Sequence, residues 1–298
     1  MKVLQVLNHF LPKQTAGTEV YTWALSKQLQ SQGIEVKIVI PNYNSGTSSA
    51  YTYEGLHVHQ YAEPSVVDRS LIMQLRTPDG LPYFKHYVEA ERPSILHFHE
   101  LAGSNGITTA HLRVAKELGV KVVITFHLAG YSCRTGNLLY KDEYLCDGKI
   151  NIQRCSACYL HQRTKGAAGM ILLSASLLSW RLGIDTTKWN SKAGTALGTA
   201  SLLLAHKRKF EEIVSLCDEI VVLTAWYKKI LLLNGVPASK ITFIPQGLPV
   251  NRPIETPVHS TTKGTTKFLF LGRINPFKGL HLLLEALEKT GISNYELD

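Results

Sequence analysis

No apolar run in this 298-residue chain is long enough to cross a bilayer. The two segments free of charge, residues 166–180 and 193–205, fall short of the roughly 20 residues a spanning helix needs. The opening MKVLQVLNHF has no charged head followed by a long apolar stretch, so no export signal is apparent. No internal repeat is present. The first turn reads NHFLPKQTAG rather than G-x-G-x-x-G, which argues against a dinucleotide pyrophosphate and hence against a nicotinamide-dependent oxidoreductase or epimerase. Aromatic residues do not interleave with Lys and Arg, and no basic helix stands out, so nucleic acid is not an expected partner. Acidic residues are the other shortage: 23 Asp and Glu stand against 32 Lys and Arg, for a net charge of +9. Residues 101–200 hold most of the excess, with 12 basic and 5 acidic side chains. That basic middle either suits an anionic partner, such as a nucleotide or an acidic membrane surface, or is surplus surface charge.

With 45% apolar and 18% charged residues, the chain has the composition of a globular protein of one large domain or two ordinary ones. Its N-terminal half alternates apolar strand-like runs (3–7, 36–40, 95–98, 122–126) with helical spacing (17–32, 83–91, 104–118). Residues 51–61 alternate about Glu54-Gly55, as an edge hairpin would. The rhythm resumes at 219–223, 225–233 and 241–244. The expected fold is α/β, a doubly wound Rossmann-like parallel sheet. Residues 246–266, rich in Pro, Thr, Gly and Ser, read as a linker between a domain at 1–245 and a short segment at 267–298. The two charge-free segments read first as helices buried against the core. The second reading is interfacial helices on a membrane, given the flanking Arg163, Lys165, Arg181, Lys207, Arg208 and Lys209.

Residues 131–163 break the alternation and carry Cys133, Cys146, Cys155 and Cys158, spaced C-x12-C-x8-C-x2-C. Four thiolates can close a tetrahedral zinc site, and such a site, lacking an open position, is structural rather than catalytic. Reduced or disulfide-linked cysteines and an iron–sulfur cluster stand as alternatives. Cys217 reads as a core thiol.

Candidate binding residues fall at strand ends. In FLFLGRINPFKG (residues 268–279) an apolar strand over 268–271 ends at Gly272, and Arg273 and Lys278 flank the loop before a helix over 279–289. Two cations at a strand-to-helix turn suit a diphosphate. Gly17 opens the first helix, where close backbone approach to phosphate or sugar oxygens is favourable; Thr18 and Glu19 suit its first turn as capping residues. His127 stands at the carboxyl end of VVITF, where open α/β sheets bind ligands. His97 and His99 share a strand face, and His99 is a candidate acceptor contact.

In order, these pieces resemble the GT-B glycosyltransferases of family 4, a retaining group that uses nucleotide sugars. The likeness runs through MKVLQVLNHFLPKQTAGTEVYTWALSKQLQSQGIEVKIVIP, ILHFHE, VVITFH, CDEIVVLTAWYKKILLLNGVPASKITFIPQGLP and FLFLGRINPFKGLHLLLEAL. It implies a nucleoside diphosphate sugar as donor and a saccharide or lipid-linked hydroxyl as acceptor. It implies Arg273 and Lys278 on the donor diphosphate, and His127 against the sugar near the reacting carbon. No protein nucleophile or catalytic metal is implied. Where the family usually has two adjacent glycines, this chain has Ala16-Gly17. The family's second domain normally continues well beyond one strand and one helix, so residues 267–298 are expected to be the start of a truncated donor-binding domain. The chain is then expected to be weakly active or inactive alone, with a second polypeptide able to supply the remainder. The alternative is a non-catalytic or split-subunit partner of a membrane-associated glycan-assembly system. The expected location is the cytoplasm, with peripheral contact at the inner face of the cell membrane.

Overall fold

A computed structural model describes residues 1–164, 166–189, 191–247, 265–272, 274–275, 278–291 and 294–298. The chain divides into two compact units, Met1–Val250 and Asn251–Asp298.

The first unit begins with strand β1 (Lys2–Val6), whose apolar run is buried on both faces, as a central parallel strand requires. Helix α1 (Gly17–Ser31) follows, and Gly33 at φ +76° ends it. Strand β2 (Glu35–Tyr43) pairs parallel with β1. Strands β3 (Ser49–Tyr53) and β4 (Leu56–Glu63) form the expected hairpin. Its two turn residues, Glu54 and Gly55, both have positive φ, the backbone hand that matches strand twist. Helices α2 (Arg69–Ile72) and α3 (Leu81–Glu91), strand β5 (Ile95–Phe98), helix α4 (Thr109–Glu117) and strand β6 (Lys121–Phe126) come next.

Helix α4 starts later than the sequence spacing suggests, at 109 rather than 104. Thr108 caps it in a capping box with His111, and Ile107 is held out of the helix by its N–H bond to Asn8 Oδ1. The cysteine-bearing segment supplies a small hairpin, β7 (Leu139–Tyr140) with β8 (Tyr144–Leu145), and helix α5 (Ile152–His161). Helices α6 (Gly166–Arg181), α7 (Lys192–Leu197) and α8 (Thr199–Leu216) lead back to β9 (Glu219–Val222), α9 (Ala225–Leu233) and β10 (Ile241–Phe243).

The eight-stranded sheet has the order β10-β9-β6-β5-β1-β2-β4-β3, parallel throughout except between β3 and β4. From β1 the chain winds outward first through β2 and then through β5, so the direction switches between β1 and β5. In open α/β sheets a crevice forms at the carboxyl ends of such a pair. Two buried clusters cover the sheet: Leu4, Val39, Leu96, Phe98 and Ile124 belong to one, and Leu7, Phe10, Ile38, Ile40 and Val58 to the other. The alternation of Ile38, Val39 and Ile40 between them is the period of two of a strand buried on both sides.

The apolar segments diverge. Leu202, Leu203, Phe210 and Ile213 of α8 are buried, as expected of a core helix. Helix α6 departs from the first expectation: only Ser176 is buried, and Met170, Ile171 and Leu178 are exposed. Being apolar on every side, α6 has no polar face to turn outward, so docking one side leaves the others bare. The Ser176 hydroxyl accepts from the Ala200 N–H at 2.8 Å on the docked side. Among the described residues no helix is long and apolar enough to cross a membrane.

In the second unit, β11 (Thr266–Phe268) and β12 (Tyr295–Leu297) pair parallel, with α10 (Leu280–Thr290) between them in sequence. The strand expected at 268–271 lies at 266–268, and β12 was not anticipated. The ladder fixes the shift: Thr266 N–H donates to Asn294 O, and Phe268 O accepts from Asp298 N–H. Most of the expected linker, residues 248–264, lies outside the described residues.

Candidate active site

At the carboxyl ends of β1, β5 and β6, side chains from four elements converge on two histidines. His99 extends the parallel ladder past β5, its N–H donating to Val6 O at 2.9 Å, and its side chain is fully buried. Its Nε2 lies 2.7 Å from Gln5 Oε1 on β1, and its Nδ1 lies 3.3 Å from Nε2 of His127, just past β6. With Gln5 Oε1 as acceptor, His99 Nε2 carries the proton and Nδ1 accepts from His127 Nε2–H. His127 Nδ1 is then left as a lone-pair acceptor. Tyr21 of α1 packs edge-on to both rings, with centroids 5.8 Å and 4.9 Å away. His97 sits behind, its Nε2 2.8 Å from Thr125 Oγ1.

Burial holds all three imidazoles neutral. It lowers the pKa of His97 to about 3, helped by His127, and that of His127 to about 4. It holds His99 well below the ordinary histidine value, with His97 and His127 adding to the effect. At neutral pH the cluster is therefore an uncharged hydrogen-bonding surface, able to orient hydroxyl groups rather than to balance an anion.

Beside it, Asn8 pins the loop after β5. Its Oδ1 accepts from the Ile107 N–H at 2.9 Å and from the Tyr43 hydroxyl at 3.1 Å. A Cβ on Gly106 would stand 2.4 Å from the same oxygen, so only glycine fits. The Asn8 N–H donates to Glu100 Oε1 at 3.3 Å, while its own Nδ2 is buried without a partner. Glu19 in the first turn of α1 is likewise buried; Oε1 accepts from Gln14 Nε2 at 2.7 Å and Oε2 has no partner. It bonds a side chain five residues before it, not the helix's opening N–H groups, so the capping role expected of it is not the one seen. Gly17 is exposed, and a Cβ there would meet nothing within 4 Å, so the fold itself does not require glycine at the start of α1.

The structure brings together His99 and His127 of the expected site residues. Sequence reasoning did not single out Asn8, Glu100, Tyr21 or Gln5. The available signal was polar side chains directly after buried strands, in LNHF and HFHE, at the switch between β1 and β5. In the second unit, Lys278 precedes α10, its N–H donating to Asn275 O at 2.9 Å, and Gly279 at φ +78° caps the helix. Arg273 lies outside the described residues.

Cys133, Cys146, Cys155 and Cys158 all line one pocket of about 30 Å³, and all are free thiols. Gly148 N–H points at Cys146 Sγ at 3.5 Å and Lys141 N–H at Cys158 Sγ at 3.2 Å. Burial pushes the Cys155 and Cys158 thiols up. Among the described residues no three His, Cys, Asp or Glu side chains stand as a ready-made metal cage. Cys217 is a core thiol as expected, pushed up to about 12 by burial.

No curated protein matches the chain. Among solved structures, sucrose-phosphate synthase from Thermosynechococcus elongatus is 12% identical over 99% of this chain and 61% of its own, with a TM-score of 0.52. MurG from Acinetobacter baumannii is 10% identical over 100% of this chain and 65% of its own, with a TM-score of 0.44. HepE from Anabaena, solved with UDP and glucose, is 12% identical over 100% and 60%, with a TM-score of 0.45. The chain thus spans under two thirds of the length of these proteins. Residues 15–149 match the model of Glycosyltransferase Family 4. Over that range, somewhat under half of its length, the chain is similar to Glycosyltransferase Family 4, and its parallel-dominated eight-stranded sheet has the Rossmann-like form of a GT-B N-terminal domain.

Proposed function

We propose that the chain serves retaining transfer of a sugar from a nucleoside diphosphate sugar to a hydroxyl of a saccharide or lipid-linked acceptor. The observation that carries this is the neutral His99–His127 pair at the carboxyl ends of β5 and β6, inside the matched family range. A neutral imidazole suits an uncharged sugar hydroxyl. His127 contacts the donor sugar, buried His99 orients it, and the open backbone at Gly17 admits sugar or phosphate oxygens. In the second unit the diphosphate falls to Arg273 and Lys278, which neutralise charge on the departing group. The acceptor oxygen bonds to the anomeric carbon as the bond from that carbon to the diphosphate breaks, and the acceptor proton passes to the leaving diphosphate. No protein nucleophile or catalytic metal takes part.

The bare apolar sides of α6 support peripheral contact with the inner face of the cell membrane. The shared pocket of the four cysteines supports a structural zinc that would draw the thiols into a closed cage. The test of the main proposal is a panel of nucleoside diphosphate sugars, read first for binding and then for the anomeric configuration of any product by proton NMR. Binding with retained configuration is expected. An inverted product overturns the retaining mechanism, and a chain that binds no member of the panel overturns the proposal as a whole.

A further inference from the structure

A cavity of about 770 Å³ in the first unit lies outside the histidine site, and none of the residues that build that site lines it. Its walls are the end of α2 and the residues after it (72–77), the first turns of α4, Arg134 of the cysteine segment, the end of α6 and the face of α8 around His206 and Lys209. Five basic side chains line it against two acids, Asp185 and Glu212.

Two of the five are already neutralised within the fold. Arg76 pairs with Asp68 and Asp79, and Arg113 with Glu212. Among the described residues the side chains of Arg134 and Arg208 have no hydrogen bond or ion pair, and Lys209 Nζ has only the neutral Gln74 Oε1, at 2.6 Å. Burial and then Arg134 pull the Lys209 ammonium down to about 8, against a smaller raising effect of Glu212. His206 is held near 4 by burial, Arg134 and Lys209, and its Nε2 is buried without a partner.

Glu212 is taken by Arg113 and the Asp185 carboxylate by the Thr187 N–H and hydroxyl, so Arg134, Arg208 and Lys209 share one concavity with no acid paired to any of them. An anion entering the cavity would relieve their mutual repulsion and give His206 a partner. The volume falls in the range of roughly 300–1,000 Å³ usual for small-molecule sites and far exceeds one phosphate. Exposed Ile72 and Leu75 and the ring of Trp180 supply apolar wall. The occupant therefore combines a phosphate with a larger, partly apolar body.

We propose that this cavity holds the phosphate ester of the sugar acceptor, with Arg134, Arg208 and Lys209 as its charged contacts and His206 as the neutral one. Assigning the ligand as acceptor rests on the sugar-transfer proposal above; the phosphate site itself does not.

The test is calorimetric titration of inorganic pyrophosphate into the full chain carrying Arg273→Ala and Lys278→Ala, which removes the second unit's cations. Binding is expected, weakened about tenfold or more by Arg134→Ala, as loss of one charge-assisted contact implies, and further by Lys209→Gln. Lys121→Ala, an exposed control on β6, leaves it unchanged. Because Arg134 is exposed, its variant keeps the test valid even if Lys209→Gln unfolds. Undetectable binding, or equal affinity in parent and Arg134→Ala, overturns the proposal. A second arm compares phosphatidylcholine vesicles with and without phosphatidic acid. Arg134-dependent retention on the acidic vesicles assigns a lipid-borne ester, and pyrophosphate binding without retention assigns a soluble one; both support the site. A chain that binds pyrophosphate through Arg134 yet transfers no sugar keeps the site and loses only the transfer assignment.

Discussion

His99 Nδ1 and His127 Nε2 lie 3.3 Å apart, a side-chain link just beyond the backbone ladder that pairs β5 with β6. The two rings differ in burial: His99 is sealed, whereas His127 keeps partial exposure. That difference separates positioning from contact. His127→Ala is expected to lower sugar transfer by about 100-fold, the loss typical of a positioned group at the reacting centre, with little change in melting temperature. His99→Ala removes a buried ring and strands Gln5, so it should also cost about 2–3 kcal/mol of stability. Kinetics and thermal melts on both variants check the split. Equal destabilisation by the two would contradict it.

Acid should unfold the first unit early. His59, His97, His111, His127 and His206 all have folded pKa values lowered to between about 3 and about 4, chiefly by burial. The unfolded chain, with histidines near 6.5, then binds more protons between those values. Their contribution is fully present above pH 6.5 and is lost as pH falls toward 4, with a slope of up to about 1.4 kcal/mol per pH unit for each. A melting temperature that stays level from pH 7 to pH 4.5 would refute this.

Two glycines near the site should respond in opposite ways. A methyl on Gly106 collides with Asn8 Oδ1, so Gly106→Ala should destabilise by about 1–3 kcal/mol. Gly17→Ala meets no protein atom and should leave the melting temperature unchanged while weakening nucleotide-sugar binding. Melting curves and a binding titration on each variant decide the matter.

If the four thiols gather around zinc, protein purified from zinc-supplemented medium should carry about one zinc per chain. Chelation should then lower the melting temperature, and Cys155→Ser should abolish the bound metal. Metal-free protein with an unchanged melting temperature and titratable thiols would instead fit the reduced cysteines seen here.

The strands and their alternation with helices were legible because buried parallel strands leave short apolar runs, as in Lys2–Val6 and Lys121–Phe126. The places of His127 and His99 just past the ends of β6 and β5 were legible from the apolar runs before them. The Asn8–Gly106 contact was not, since it joins residues far apart in sequence through loop geometry that no local period encodes. The start of α4 was misread because Thr108 and His111 form a capping box in which His takes the usual Glu or Gln position. The sequence left α6 between a core helix and an interfacial one for a related reason: an apolar sequence states that a helix avoids water, not which of its sides finds cover. The cation cavity depends on Arg134 and Lys209 meeting across 75 positions, which charge counting alone could only suggest as a basic middle.

The most direct test of the sugar-transfer account is nitrogen-15 NMR of the histidine imidazoles during titration with nucleoside diphosphate sugars. The account predicts that one donor of the panel shifts the His127 signals progressively to saturation, and that His127→Ala weakens its binding. Donor binding that leaves the His127 signals unmoved, or no binding across uridine and guanosine diphosphate sugars, would contradict it.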